Sequence, residues 1–358
     1  LVRTCHFIEN RTVKQLSGGN GAAIYNNRGA PRIVDCLIER NETDGGSDGY
    51  EGGHGAGMFN DTSAPQVANT LFRENRTGTG NGSDGGDGAG VYNWISAPGF
   101  VNCAFVGNAT GSGNTSGHGA GMYNHGSFPL ISNSLFYDNE LSIGGVGSWI
   151  CNVSSSHVWI NNSILRSGSL YDSASTTSIA YSNIEGGYAG AGNIDADPGW
   201  ADPENGNFRL HDNSPCLDSG HVDWLFVDIA DADEDGIHSE WIPLDLQGKQ
   251  RLRYAGVDMG PLENESKPPE IASLLVLSPT SVQVRFDERM EQSSAETALN
   301  YEMDNSIAVS EAVLEGDEVS VTLTVSDLNA IDDYLLTING VSDSNGKPIA
   351  PDTNYPFS

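Results

Sequence analysis

GAAIYN from Gly21, GAGMFN from Gly55, GAGVYN from Gly88 and GAGMYN from Gly119 are one block written four times, 34, 33 and 31 residues apart. A second block lies between them: FIEN from Phe7, IERN from Ile38, FREN from Phe72, FVGN from Phe105 and FYDN from Phe136. Its spacings are 31, 34, 33 and 31, so two independent motifs share one drifting period. A period of this size marks a repeat architecture in which each unit buries its apolar face on the next. Every unit holds two short apolar runs, such as residues 34–38 and 56–60, bounded by Gly, Asn and Asp. Runs that short, bounded that way, read as strands. Helical repeats of similar length are excluded by the glycine load, because glycine is a poor helix former.

Strand repeats of 31–34 residues predict an all-β solenoid, a right-handed parallel β-helix with one coil per repeat. Equivalent residues then stack about 4.8 Å apart, and columns of sequence become ladders in space. Asn26, Asn60, Asn93 and Asn124 form one ladder; Asn10, Asn41, Asn75, Asn108 and Asn139 form another. Stacked amides bond to one another and satisfy the backbone at bends, so both ladders read as structural. Cys5, Cys36, Thr70, Cys103 and Ser134 make a column of small interior residues. The five cysteines fit no zinc spacing, and pairing of Cys5 with Cys36, or of Cys151 with Cys216, stays open here. Glycine-rich stretches such as residues 43–53 and 77–88 hold the excess length and should project from one side as a row of loops.

The chain has 358 residues, 44 of them Gly, with 48 acidic and 17 basic side chains and a net charge of −31. The apolar content is ordinary for a folded protein, so disorder is excluded despite that charge. No apolar run is long enough for a membrane-spanning helix. Nucleic acid is excluded as a partner, because phosphate contacts need clustered Lys and Arg. The start has neither an initiator Met nor a signal-like segment, and reads as mature or trimmed. Charge concentrates toward the end: the net is −6 over residues 1–190, −12 over 191–267 and −13 over 268–358. Those three segments are the expected domains: β-helix coils, a closing segment with an acidic loop, and a β-sandwich.

The alternation of the two blocks, seen at Phe7–Asn10 and Gly21–Asn26, resembles the FxxN and GGAI-like repeats of chlamydial polymorphic outer-membrane proteins and related β-helical surface proteins. That likeness covers roughly residues 1–165 and implies an adhesin. Residues 195–220 and 244–263 resemble the closing segment of bacterial β-helical surface proteins of the choice-of-anchor type, with S-P-C-x-D-x-G, D-x-x-G-x-x-R and D-x-G-x-x-E elements. This implies an exported bacterial protein. From residue 270 onward short runs alternate polar and apolar, at 273–277, 281–286, 318–325 and 334–339. Such a pattern predicts a β-sandwich. The strings VRFDERM, ALNYEM and YLLTINGVSDSNGKPI resemble bacterial Ig-like modules, which usually act as spacers.

Within GAGMFN the strand alternation puts Ala56, Met58 and Asn60 on one face and Phe59 on the other. If the first set faces inward, Tyr25, Phe59, Tyr92 and Tyr123 form an outward aromatic strip, suited to stacking against sugar rings. The competing reading has those rings in the core or under loops. His54, Asp87 and His118 precede successive blocks and stack with Asn20; a polar ladder is favoured there over a metal site. Asp231, Asp233, Asp235 and Gly236 write D-x-D-x-D-G, the first half of a calcium loop, although position 12 is Ile242 and not Glu. Asp228 or Glu240 could supply another oxygen. Enzyme readings find less support. Lys14 is the one lysine of the coils, which is poor provision for uronate lysis. Gly-His-Gly at residues 53–55 and 117–119 matches part of a pectin-hydrolase signature, but recurs with the repeat.

The expectation is therefore a secreted or cell-surface bacterial β-helix with an Ig-like module, non-catalytic, binding glycan or a host or neighbouring-cell surface along its solenoid face. Calcium at Asp231, Asp233 and Asp235 is the one cofactor the sequence suggests, and a plain acidic surface loop is the competing reading there. A polysaccharide lyase or hydrolase is the alternative, and a stalk or fibre subunit assembling end to end is the third reading.

Overall fold

A computed structural model describes residues 1–13, 19–46, 52–79, 84–113, 116–211, 213–228, 236–237, 240, 242, 244–251, 256–264, 268–329, 333–343 and 347–358. The chain divides into two compact units, one reaching from Leu1 through Glu263 and the other from Asn264 to Ser358. The first is a parallel β-helix with three faces. Among the described residues its coil strands form two seven-stranded sheets and one six-stranded sheet, each built from every third strand, and Trp200–Asp202 pairs with Asn207–Leu210 as a separate two-stranded sheet.

One coil illustrates the path. Gly99–Val101 lies on the first face, Ala104–Val106 on the second, and Met122–His125, beyond the glycine-rich loop, on the third. Each corner turns on a residue in the left-handed region. Asn69, Asn102 and Asn133 do so between the first and second faces, at φ 47–51°. Thr62 and Ile95 do so between the third and first faces, at φ 51° and 50°. The opening Gly of each block, Gly21, Gly55, Gly88 and Gly119, takes φ 61–67° before the third face. At Gly55 a Cβ would stand 2.6 Å from the Met58 carbonyl oxygen, so both the dihedral and the space require glycine.

Register pairing confirms the columns. Phe7 pairs with Ile38, Ile38 with Phe72, Phe72 with Phe105 and Phe105 with Phe136. The column continues through Leu165 and Ile184, 29 and then 19 residues later, because the coils lose their loops. A fifth block is present as GSWICN, with Gly147 at φ 69° and Cys151 beside Tyr123. The interior is a stack of apolar ladders. Ile33, Val67, Phe100, Ile131, Ile160 and Ile179 come from the first face, the Phe72–Phe105–Phe136 column from the second, and Met58, Val91, Met122 and Ile150 from the third. Phe72 and Phe105 stack at 4.9 Å and Phe105 and Phe136 at 4.5 Å, so the rings follow the coil rise.

Both asparagine ladders form. Asn26 donates to Asn60, Asn60 to Asn93, Asn93 to Asn124 and Asn124 to Asn152, each at 2.8 Å. In the other, each Nδ2 reaches the next Oδ1 at 2.8–2.9 Å. Its second hydrogen returns to the preceding coil, as Asn75 does to the Ile38 carbonyl at 2.9 Å. Asn41, Asn75 and Asn108 thereby use both amide hydrogens, the condition for burying them without loss. All five cysteines are free. Burial pushes the thiols of Cys103 and Cys151 up to about 12, which leaves them protonated and inert.

Described residues between 197 and 263 fold back as a strap across the second face. Phe208, Leu210, Cys216, Met259 and Leu262 cover the outward column of Ala104, Leu135 and Ile164. The strap is tied at the corner asparagines. Asn162 donates to the His221 carbonyl and accepts from the His221 N–H. Arg251, fully buried, donates to Glu263 at 2.5 Å, to Asn102 at 2.8 Å and to the Gly260 carbonyl at 3.0 Å. Asp245 accepts from the N–H groups of Gln247, Lys249 and Glu263. Burial, then the charge of Asp258, holds the Glu263 carboxyl well above the usual range, with Arg251 opposing them. The D-x-x-G-x-x-R and D-x-G-x-x-E elements are thus one buried clasp.

The second unit is a sandwich of antiparallel sheets. Four strands run in the order Ile271–Ser278, Ser281–Phe286, Ser320–Val325 and Val309–Leu314; three run as Tyr301–Met303, Tyr334–Ile338 and Thr353–Phe357. Alternate residues such as Val282, Val284, Phe286, Val321, Leu323, Leu336 and Ile338 fill its core. No helix among the described residues is long and apolar enough to cross a membrane.

Candidate functional site

The aromatic column stands on the outside of the third face, since Ala56, Met58 and Asn60 are all fully buried on the inside. Tyr25 stacks on Phe59 at 5.2 Å, Phe59 on Tyr92 at 4.9 Å, and Tyr92 on Tyr123 at 4.9 Å, with interplanar angles of 1–19°. Exposure is uneven, however. Tyr25 is 49% exposed, whereas Phe59 and Tyr92 are 7% and 6%. Each middle ring has its faces occupied by the rings above and below, and the His54 ring tilts over Tyr92 at 4.9 Å. The middle of the column therefore offers little free surface.

The histidine column is a hydrogen-bonded ladder. The His54 N–H donates to Asn20 Oδ1, the Asp87 N–H to His54 Nδ1 at 2.9 Å, the His118 N–H to Asp87 Oδ1 at 2.7 Å, and the Val146 N–H to His118 Nδ1 at 3.2 Å. A backbone N–H can only donate, so Nδ1 of both rings is an acceptor and the ring proton sits on Nε2. Below this column, threonines close each loop at its base. Thr43 donates to the Gly53 carbonyl at 2.7 Å, Thr77 to that of Gly86 at 2.6 Å, and Thr110 to that of Gly117 at 3.1 Å.

Asp231, Asp233 and Asp235 lie outside the described residues. Of the residues flanking them in sequence, the Asp228 N–H donates to the Glu240 carbonyl at 2.8 Å.

A more exposed aromatic set stands where the third face turns into the first. Trp94, 38% exposed, stacks on His125 in the next coil at 4.0 Å. One coil further, His157 stacks on Trp159, also at 4.0 Å. Ile95, Phe128 and Leu130 between them are 55%, 49% and 43% exposed. Beside these rings an open groove of about 450 Å3 follows the corner, lined by successive coils at Arg28–Ala30, Thr62–Ala64, Ile95–Ala97, Gly126 and Phe128. Sequence reasoning stopped at the Tyr column and missed this set. The signal was one step away: Trp94 and His125 sit two residues beyond Tyr92 and Tyr123, hence on the same outward face. A second cleft, about 360 Å3, lies where the strap ends over the second face, between Leu37, Leu71 and Ala104 on one side and Phe208, Leu246 and Leu262 on the other.

Residues 262–358 match the family model described as a bacterial Ig-like domain, so the chain is a β-helix followed by a bacterial Ig-like module. A search of curated proteins finds no match. Among solved structures, similarity is found to the S-layer protein rSbsC(31-844), at 18% identity and TM-score 0.24, covering 25% of this chain and 13% of that one. The N-terminal part of the bacterial S-layer protein SbsC matches at 18% identity and TM-score 0.24, covering 25% of this chain and 23% of that one. The shared part is thus under a quarter of either S-layer chain.

Proposed function

We propose that this chain is a non-catalytic binding protein of the bacterial cell exterior, secreted or surface-held, whose solenoid presents a glycan-binding face. The observation that carries the reading is the ring set at the third-to-first corner: exposed Trp94 and Phe128, with half-buried His125, His157 and Trp159 stacked beside them. Flat aromatic faces with polar edges suit the apolar faces and hydroxyl rims of sugars. The bacterial Ig-like match supports an exported bacterial setting. The Tyr column contributes at its exposed end, Tyr25, and keeps Phe59 and Tyr92 as packing.

The test is a polysaccharide panel scored for retention and for cleavage. Calcium is included, because Asp231, Asp233 and Asp235 carry the ligand chemistry for that ion. Retention that falls on Trp94→Ala supports the reading. Cleavage of any member overturns its non-catalytic part, and retention of none overturns the glycan. One observation favours a second reading. Val2–Arg3, His6–Ile8 and Ile24–Asn27 each stand first in one of the three parallel sheets, and a parallel strand edge can take a further coil or a second copy, as in a stalk. Concentration-dependent growth in sedimentation would support it; a monomer at all concentrations would remove it.

A further inference from the structure

The corner groove has a floor, a direction and an end. Its floor is one column of the solenoid: the Ala64 N–H bonds to the Gly29 carbonyl, that of Ala97 to the Ser63 carbonyl, and that of Phe128 to the Ser96 carbonyl, at 2.8–3.0 Å. Ala30, Ala64, Ala97 and Phe128 are therefore stacked equivalents. The serines beneath are turned inward and engaged. Ser63 Oγ accepts from the Gly29 N–H, Ser96 Oγ from the Ser63 N–H and Ser127 Oγ from the Ser96 N–H, at 3.0–3.2 Å. What faces outward is a smooth run of methyl groups and backbone, walled by Ile95 and flanked by the Trp94–His125 stack. Three coils place alanine in this column; the fourth places Phe128, half exposed, and the fifth His157.

On the reading that the solenoid binds glycan, we propose that this groove seats an unbranched neutral polysaccharide parallel to the solenoid axis, and that Phe128 stops the chain, so that a terminus and not an internal stretch is held. Three features select that occupant. Adjacent coils advance by about 4.8 Å, close to the advance of one sugar in an extended equatorially linked chain, so each coil meets one sugar. Among the described residues lining the groove, Arg28 is the one charged side chain, and it lies at the end away from Phe128. The net charge of −31 disfavours a polyanionic chain. The alanine floor leaves room for a pyranose ring in three successive coils, and the Phe128 ring closes the fourth.

The experiment measures affinity for β-1,4-linked gluco-oligosaccharides from dimer to hexamer by calorimetry. It uses the whole chain and the variants Ala97→Trp, Phe128→Ala and Trp94→Ala, each first checked for an unchanged thermal transition. The wild type is expected to gain affinity up to the trimer and then level off. Phe128→Ala should continue to gain with length, and Ala97→Trp, which fills the floor, should lose binding by about tenfold or more. If Ala97→Trp and Phe128→Ala bind like the wild type while Trp94→Ala loses binding, the groove proposal is overturned and the glycan reading stands. If the wild type binds no member of the series, the proposed occupant is wrong; retention of other polysaccharides in the panel then decides separately whether the solenoid binds glycan.

Discussion

Asn152 donates through Nδ2 to the Asp172 carboxylate at 2.8 Å, and that bond terminates the asparagine ladder that starts at Asn26. Every amide from Asn26 onward donates toward the later coil, so the last acceptor has nothing of its own kind to follow it. A carboxylate, which only accepts, is the chemically fitting end. Asp172 also accepts from Thr177 at 3.0 Å, which holds it in place.

Asn93→Ala should destabilise the solenoid strongly. The change orphans the Asn60 donor and the Asn124 acceptor, both fully buried, at about 1–3 kcal/mol for each group. Chemical denaturation followed by far-UV circular dichroism measures it. A loss no larger than that of a surface alanine substitution would show that the ladder contributes nothing to stability.

The clasp makes an asymmetric prediction. Glu263→Ala leaves the Arg251 guanidinium buried without its carboxylate, and a broken buried pair costs about 3–5 kcal/mol. The double variant Arg251→Met with Glu263→Leu should be closer to wild type than Glu263→Ala alone, because the unpaired charge is gone. Equal losses in the two would mean that the guanidinium is held chiefly by Asn102 and the Gly260 carbonyl.

In the Ig-like unit, Glu291 precedes the short helix Gln292–Ala295 and accepts from the Ser294 and Ser293 N–H groups at 2.7 and 2.9 Å. These bonds, that of Ser294 first, lower its pKa from 4.5 to about 2. A depressed folded-state value means stabilisation that is full above 4.5 and is lost as pH falls toward 2. Glu291→Gln should therefore lower stability above pH 4.5, converge with the wild type as pH falls toward 2, and so flatten the acid limb in that window. Melting curves of the unit across that range test the sign; an identical acid limb in the variant would refute it.

The buried thiols should resist alkylation. Cys103 and Cys151, held at about 12 by burial, are expected to stay unmodified by iodoacetamide at mildly alkaline pH and to react fully on unfolding. Mass spectrometry of the native protein reads this directly, and rapid modification of either would contradict the packed interior.

Much of the solenoid was legible because stacking repeats a local pattern. The six-letter block states a left-handed glycine, an inward apolar residue (Ile24, Met58, Val91 or Met122) and an inward Asn, and four copies set the register. The corners at Thr62 and Ile95 were not legible, since nothing in those side chains prefers φ near 50° and the fold imposes it. The fifth block hid because Ser148 and Trp149 replace the small residues after Gly147. The clasp was visible as a motif but not as a mechanism: Arg251 meets Asn102 across 149 residues, and no local signal spans that distance. At the corner groove the informative unit is a column of alanines interrupted by Phe128. Such a column acquires meaning only once coils are superposed.

The threonine bonds at the loop bases have one more effect. They seal each loop off from its coil: the coils bearing Gly21, Gly55, Gly88 and Gly119 keep one register although their block spacings are 34, 33 and 31 residues. Insertions and deletions inside such a stem are invisible to the rungs. The loops thus behave as exchangeable cassettes, free to diversify in length and sequence while the columns that carry stability stay in step.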